Sequence, residues 1–250
     1  MLTQERYKGI LAFLTEQDAA TVTELAQAIG VSESTIRRDL TALDKDGRLR
    51  KVYGGATAIR PTQGTAEDEI TVRDCMMSEE KEQIAAYAAT LIHDDDFIYM
   101  DSGTTTARLV DAIGYHTKAT FVTNGIIHAQ KLLSKGLKAY MIGGRIRQVT
   151  ASVVGTEAVK NVLKYNFTKA FLGTNGVDIS AGFTTPDGEE AMMKQQAIEK
   201  SFAVFVLADH SKFRKVYPVT FAELQRCCII TDKLPYGGFS DKTIIREVIS

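Results

Sequence analysis

The chain has 250 residues, 44% of them hydrophobic, and a formal net charge of −1, so it suits two domains with proper cores and its overall charge argues neither for nor against a nucleic-acid partner. No stretch approaches the ~20 apolar residues of a membrane helix, and MLTQERYKGIL has no signal-peptide pattern, which excludes a membrane partner on this reading. Three cysteines without CxxC spacing leave one outside any internal pairing, pointing to a reduced, cytoplasmic setting; Cys227 and Cys228 lie in an apolar run and read as buried structural residues.

Residues Thr3–Thr15 carry Tyr7, Ile10, Leu11 and Leu14 at helical spacing, with Thr3 as the cap. Val22–Ile29 reads as a short helix with Leu25 and Ile29 inward, Gly30 as a tight turn, and Ser32 as the N-cap of a helix running to Leu43. At about 100° per residue, Ile36, Leu40 and Leu43 share one face and Ser34, Arg38, Thr41 and Lys45 the other. Helix, glycine turn, helix is how a recognition helix is presented to a DNA major groove. Leu49–Tyr53 and Ala56–Ile59 read as a hairpin turning at Gly54-Gly55, which adds a wing. The cations Arg37, Arg38, Lys45, Arg48, Arg50, Lys51 and Arg60 outnumber Asp39, Asp44 and Asp46, so this stretch is locally basic. Ser34, Arg38 and Thr41 are expected to face base edges with Thr35 beside them, and Arg37, Lys51 and Tyr53 to hold phosphates. Asp39 turns toward the core edge, as a partner for a nearby arginine. One winged helix reads too few base pairs for genomic specificity, so a homo-oligomer, dimer or tetramer, on double-stranded operator DNA is expected.

Arg6, Ile10 and Leu14, then Ser32, Thr35-Ile36-Arg37-Arg38-Asp39-Leu40, then Lys51-Val52-Tyr53-Gly54-Gly55-Ala56 resemble the DeoR family of bacterial sugar-catabolism regulators. Members more commonly carry Arg and His where this wing has Lys51 and Tyr53. The DNA-binding module is set at residues 1–58.

Between Arg60 and Ser78 the chain has Pro61, Gly64, Glu67-Asp68-Glu69 and little periodic hydrophobicity, and 59–77 reads as a linker. From 78 to 250 the pattern changes. Ser78-Glu79-Glu80-Lys81 caps a helix with Ile84, Tyr87, Ala88 and Leu91 on its buried side. Strands Phe97–Met100, Thr120–Thr123, Lys138–Ile142, Ala170–Leu172 and Ala203–Leu207 then alternate with helices Ile126–Ser134, Glu157–Leu163 and Glu189–Ser201. That alternation predicts an α/β domain with an open parallel sheet and a ligand site at the carboxyl ends of its strands.

Five of those ends carry small polar residues or glycine: Asp101-Ser102-Gly103-Thr104-Thr105-Thr106, Thr123-Asn124-Gly125, Gly143-Gly144-Arg145, Gly173-Thr174-Asn175-Gly176 and Asp209-His210-Ser211-Lys212. A single such loop is ordinary turn chemistry; five that converge point to a ligand. Glycine followed by hydroxyl residues at a helix start offers N–H groups, hydroxyls and the positive dipole end to a phosphate. Without GK[ST] it is not a nucleotide-triphosphate loop. Asp101 is expected to accept from a sugar hydroxyl or a backbone N–H, and Arg145, Lys194 and Lys212 are the candidate cations. Lys194 also reads as an exposed i,i+4 partner of Glu190. His93, His116, His128 and His210 lack metal-ligand spacing, so no metal and no cofactor is expected.

The runs DSGTTT, VTNG, GGR, FLGTNGVD, GFTTPD with EAMMK, and LADHSKF resemble the DeoR sensor domain, which is similar to ribose-5-phosphate isomerase and glucosamine-6-phosphate deaminase. Phe171–Asp187 with Glu190–Gln195 looks most like the fructose-operon repressors of Gram-positive bacteria. The resemblance implies a repressor with fructose 1-phosphate as inducer; Gly173, Asn175, Glu190 and Asp209 complete the effector-binding candidates. The alternative is an isomerase-like enzyme with a DNA module attached. Against it, Thr174 and Asn175 stand where those isomerases carry an acidic run, and neither is a base at neutral pH.

Overall fold

The structure, a computed structural model, describes residues 2–58, 62–64 and 70–248. The chain divides into two units, Met1–Pro61 with Pro235–Gly238, and Thr62–Leu234 with Phe239–Ser250. Arg60, Pro61 and Glu67-Asp68-Glu69, on which the linker reading drew, and Ile59 of the expected return strand lie outside the described residues.

In the N-terminal unit, α1 (Thr3–Gln17) is capped by Leu2 rather than Thr3, because Glu5 reaches back to accept the Leu2 N–H at 3.0 Å. β1 (Ala19–Thr21) follows, absent from the sequence reading because three residues carry too little pattern. Thr21 and Glu24 cap α2 (Val22–Ile29) reciprocally, the Glu24 carboxylate accepting the Thr21 N–H at 2.8 Å and the Thr21 hydroxyl accepting the Glu24 N–H at 3.2 Å. Gly30 ends α2 in the left-handed region, φ 74°. Ser32 then caps α3 (Glu33–Lys45), its hydroxyl accepting the Thr35 N–H at 3.3 Å.

The hairpin β2 (Arg50–Val52) and β3 (Gly55–Thr57) joins β1 in an antiparallel sheet of order β1-β3-β2. A Cβ at Gly55 would lie 2.1 Å from the Ala20 carbonyl oxygen, so only glycine lets these two strands meet. Ile10, Leu14, Leu25, Ile36, Leu40 and Leu43 form one core, with Tyr7, Leu11 and Ile29 packed around it. Arg6 grips Asp39 with two N–H donors, Nε to Oδ2 at 2.7 Å and Nη2 to Oδ1 at 3.0 Å, which supplies the arginine partner expected for Asp39.

The second unit opens inside the expected linker, with β4 (Thr62–Gln63) and the one-and-a-half-turn α4 (Ile70–Cys75). In α5 (Ser78–Ala89) Met77, not Ser78, holds the cap position, and Lys81 lies on the buried side with Ile84, Ala85 and Ala88. Next come β5 (Phe97–Met100), α6 (Thr104–Ala112), β6 (Thr120–Thr123), α7 (Ile126–Ser134) and β7 (Ala139–Met141). A hairpin of β8 (Arg145–Arg147) and β9 (Ser152–Val154) leads to α8 (Thr156–Val162) and β10 (Phe167–Gly173). β11 (Gly176–Asp178) and β12 (Gly182–Thr185) precede α9 (Gly188–Glu199) and β13 (Ser201–Leu207). The chain closes with β14 (Lys215–Val216), β15 (Val219–Ala222), β16 (Cys228–Thr231) and β17 (Ile245–Glu247).

Seven strands make one parallel sheet of order β17-β16-β13-β10-β5-β6-β7. Chain order runs outward from β5 to β7 on one side and from β10 to β17 on the other, so the switch point lies between β5 and β10, where a crevice opens. Ile98, Met100, Leu109, Phe121, Phe171 and Leu207 lie in the buried core around that sheet. No helix among the described residues is long and apolar enough to cross a membrane.

Candidate functional site

At the switch point the buried carboxylate of Asp101 is a hub. Its Oδ1 accepts the Gly103 N–H at 3.0 Å and the Thr106 hydroxyl at 2.8 Å, and its Oδ2 accepts the Gly173 N–H at 2.7 Å and an N–H of Lys194. Backbone N–H groups are thus among its donors, as expected of a carboxylate placed at an anion loop. Burial pushes the Asp101 carboxyl up, but Lys194, Gly103 and Thr106 together outweigh this and hold it below the usual carboxylate range.

Lys194 is itself buried and also donates to the Gly173 carbonyl at 2.9 Å, with the Phe221 ring 5.5 Å away. It is therefore not an exposed partner of Glu190. Glu190 is buried too, and its Oε1 accepts the Thr150 hydroxyl at 2.5 Å and an Arg147 N–H at 3.4 Å.

Above this hub lies a narrow cleft of about 10 Å³, room for about one water molecule, lined by Arg73, Ser102, Gly103, Thr150, Gly173, Thr174, Asn175, Glu190 and Lys194. Of the sequence-predicted residues, Ser102, Gly103, Gly173, Asn175, Glu190 and Lys194 line it, and Asp101 and Thr106 brace it from below. Thr104 and Thr105 are buried in the first turn of α6, whose N–H groups have no partners within the helix. Thr104 faces a second, more apolar cavity.

Others sit elsewhere. Thr123 accepts the Gly125 N–H at 3.0 Å, and Asn124 is fixed by the Tyr99 hydroxyl and the Val153 carbonyl, both at 3.0 Å, so both shape the β6 end from inside. Gly143 and Gly144 are exposed, and a Cβ at Gly144 would approach Val153 and the Val154 carbonyl to 3.0 Å, a packing reason for glycine. Arg145 does not line the cleft: its side chain is exposed and pairs with Glu189, while Arg147, two residues on, turns inward to Asp187 and Glu190. Asp209 is buried and caps the turn before Lys212, whose Nζ is 4.0 Å from it. His210 is braced by Asp232, Nδ1 to Oδ2 at 2.5 Å, with Glu80 nearby as a third metal-capable group.

The sequence reading missed Arg73, Lys81 and His128, as well as Thr150 and Arg147 beside Glu190. Arg73 lay in the presumed linker. Lys81 donates to the Arg73 carbonyl; burial, then Lys212, pull its ammonium down to about 8, against Asp209 and Asp74. Its spacing with Ile84, Ala85 and Ala88 marked it as inward. His128 stands 3.0 Å from the Thr106 hydroxyl, and burial holds its imidazole down to about 4, so it is neutral at physiological pH.

On α3, Ser34, Arg37, Arg38 and Thr41 are exposed, and Thr35 is half-buried with its hydroxyl 2.9 Å from that of Ser32. Arg37 is held by Glu33 at 2.7 Å, whereas Arg38 has no partner among the described residues. The Lys51 ammonium donates to the Thr41 hydroxyl at 2.7 Å, so wing and helix present one polar surface, with Tyr53 fully exposed at the hairpin tip.

A profile described as the DeoR-like helix-turn-helix domain matches residues 6–62, and one described as the DeoR C terminal sensor domain matches residues 76–233. The chain belongs to the DeoR family. It is 37% identical to the uncharacterized HTH-type transcriptional regulator FruR of Bacillus subtilis over 99% of each chain. It is 33% identical to the transcriptional repressor GlcR of the same organism, over 96% of this chain and 93% of that one. Among solved structures, ribose 5-phosphate isomerase A of Methanocaldococcus jannaschii overlaps 54% of each chain at 15% identity, with a TM-score of 0.41.

As a DeoR-family protein, this chain is a DNA-binding transcriptional regulator with a C-terminal sensor domain, and the enzyme alternative falls. The cleft chemistry agrees with a sensor. Asp101 is locked by four donors, and Glu190 is engaged by Thr150 and Arg147, so neither is placed as a free general base.

Proposed function

We propose that this protein represses a sugar uptake or catabolic operon, that of fructose, and is released from its operator by a phosphorylated sugar, with fructose 1-phosphate as the effector. The observation that carries the effector reading is the convergence of the α6 N-terminus, Arg73 and Lys194 on one cleft whose remaining lining is hydroxyl, amide and carboxylate. Cation and helix N-terminus suit the phosphate; hydroxyls, Asn175 and Glu190 suit a polyol. Support for the sugar comes from the relatives: the 37% identical protein carries the name FruR, and a 32% identical one is the lactose phosphotransferase system repressor of Staphylococcus aureus. On this reading Arg38, Ser34 and Thr41 read bases, Arg37, Lys51 and Tyr53 hold phosphates, and a homo-oligomer binds repeated half-sites.

The test is a ligand screen by thermal unfolding. Fructose 1-phosphate at a hundred times its dissociation constant stabilises the folded state by roughly 2.7 kcal/mol and raises Tm, whereas fructose 6-phosphate and galactitol or tagatose phosphates give smaller shifts. If no sugar phosphate moves Tm, the effector reading is wrong.

A further inference from the structure

The least anchored wall of the cleft is α4, the first helix after the joining segment. Six residues are too few to be helical by themselves, and none of the α4 residues is buried. On its far side Ile70, Thr71, Asp74 and Cys75 border a cavity of about 360 Å³ against Ala107, Ile127 and Lys131, where close packing would otherwise fasten a helix. Polar contacts hold it to the sensor unit: the Ile70 N–H to the Val149 carbonyl at 3.1 Å, Arg108 to Asp74 at 3.0 Å, and Lys81 to the Arg73 carbonyl. Few apolar contacts and several polar ones put such an element at the low end of local stability.

Among the described residues its one member in the effector cleft is Arg73, which lines it together with Lys194 and with Gly103, the N-cap of α6. We propose that α4 is a ligand-held clasp, in which an anionic effector bridging Arg73 to Lys194 and the first turn of α6 fastens residues 70–75 onto the sensor unit. This rests on the effector reading above. Because binding and docking are linked, whatever the ligand adds to docking of α4, docking of α4 adds to ligand affinity. The same stretch of chain is already joined to this unit at its other end, where β4 pairs with β14 and the Gly64 N–H meets the Val216 carbonyl at 3.0 Å. Occupancy of the cleft thereby sets how firmly the segment leading from the DNA-binding unit is held.

The clasp is tested on the full-length protein by amide hydrogen exchange and calorimetry, with fructose 1-phosphate and inorganic phosphate as probes. Saturating fructose 1-phosphate is expected to slow exchange of the 70–75 amides about fivefold or more. Arg73→Ala is expected to abolish that protection and weaken binding roughly tenfold, and Arg73→Lys to fall between, since lysine keeps the charge without the planar fork. Asp74→Asn loosens α4 from Arg108 without touching the cleft, and it too is expected to weaken binding by about three- to tenfold. Affinity that is unchanged in both Arg73→Ala and Asp74→Asn, with no protection at 70–75, overturns the clasp alone. No heat with either probe on the wild-type protein overturns the effector reading together with it.

Discussion

Asp101 and Lys194 illustrate how one buried ion pair can build a binding site. A carboxylate beside a phosphate site would repel it, but here four donors fix the charge, and the same contacts tie the β5 and β10 loops to α9. Asp101→Ala leaves the Lys194 ammonium buried without a countercharge, and the loss in urea unfolding is expected to be about 3–5 kcal/mol. Lys194→Met is expected to lose less, because Asp101 keeps Gly103, Gly173 and Thr106 as donors. Equal losses would contradict the hub.

Lys81 contributes a pH dependence in the alkaline range. Its folded value of about 8 lies below the ordinary 10.5, so between those values the unfolded chain holds a proton that the folded chain lacks, and stability contributed by this group rises with pH across that window. An anion bound nearby favours the charged form. Binding of fructose 1-phosphate at pH 8 is therefore expected to take up a fraction of a proton, read as a dependence of calorimetric heat on the buffer's ionisation enthalpy, with affinity falling as pH rises further. A buffer-independent heat would show that Lys81 does not respond to the bound anion.

At the scale of elements, the proposed function has α3 and the wing divide their labour on the DNA. Arg38, exposed and without a partner among the described residues, is the proposed base reader, and Arg38→Ala is expected to narrow the gap between operator and random DNA by about 1–3 kcal/mol. Lys51, bonded to Thr41 at the edge of the helix, is the proposed phosphate contact, and Lys51→Ala is expected to weaken all DNA alike and lower the salt slope by about 1. The same loss on both DNAs for both variants would show that neither assignment holds.

The helix-turn-helix was legible because Gly30 and Ser32 punctuate two apolar stripes, and the parallel strands because short apolar runs alternate with helical ones. The small sheet of β11, β12 and β15 was not, since its strands read as glycine turns and pair with a strand more than thirty residues on. Strand-end polarity pointed to the cleft but overreached at Thr123, Asn124, Gly143 and Gly144, where the same residue types serve caps and packing. Arg145 and Arg147 alternate along one strand, and only the fold shows that the second turns inward. Arg73 left no periodic signal in a six-residue helix with no buried side chain. Lys81 did, at the 81/84/85/88 spacing of a buried stripe.

At the scale of the molecule, the claim is that cleft occupancy changes operator affinity, which requires the ligand to bind one state of the regulator better than another. A preference of about tenfold between the two states is 1.4 kcal/mol, well within what one charge-assisted contact to Lys194 or Arg73 supplies. The direct test is fluorescence anisotropy of the full-length protein on an operator selected from random DNA, titrated with and without saturating fructose 1-phosphate. Fructose 1-phosphate is expected to weaken operator binding by about tenfold or more, with a smaller shift for fructose 6-phosphate and no shift for a Lys194→Met variant that still binds operator. An operator midpoint unmoved by every sugar phosphate tried, in a protein that binds that operator specifically, would contradict the claim.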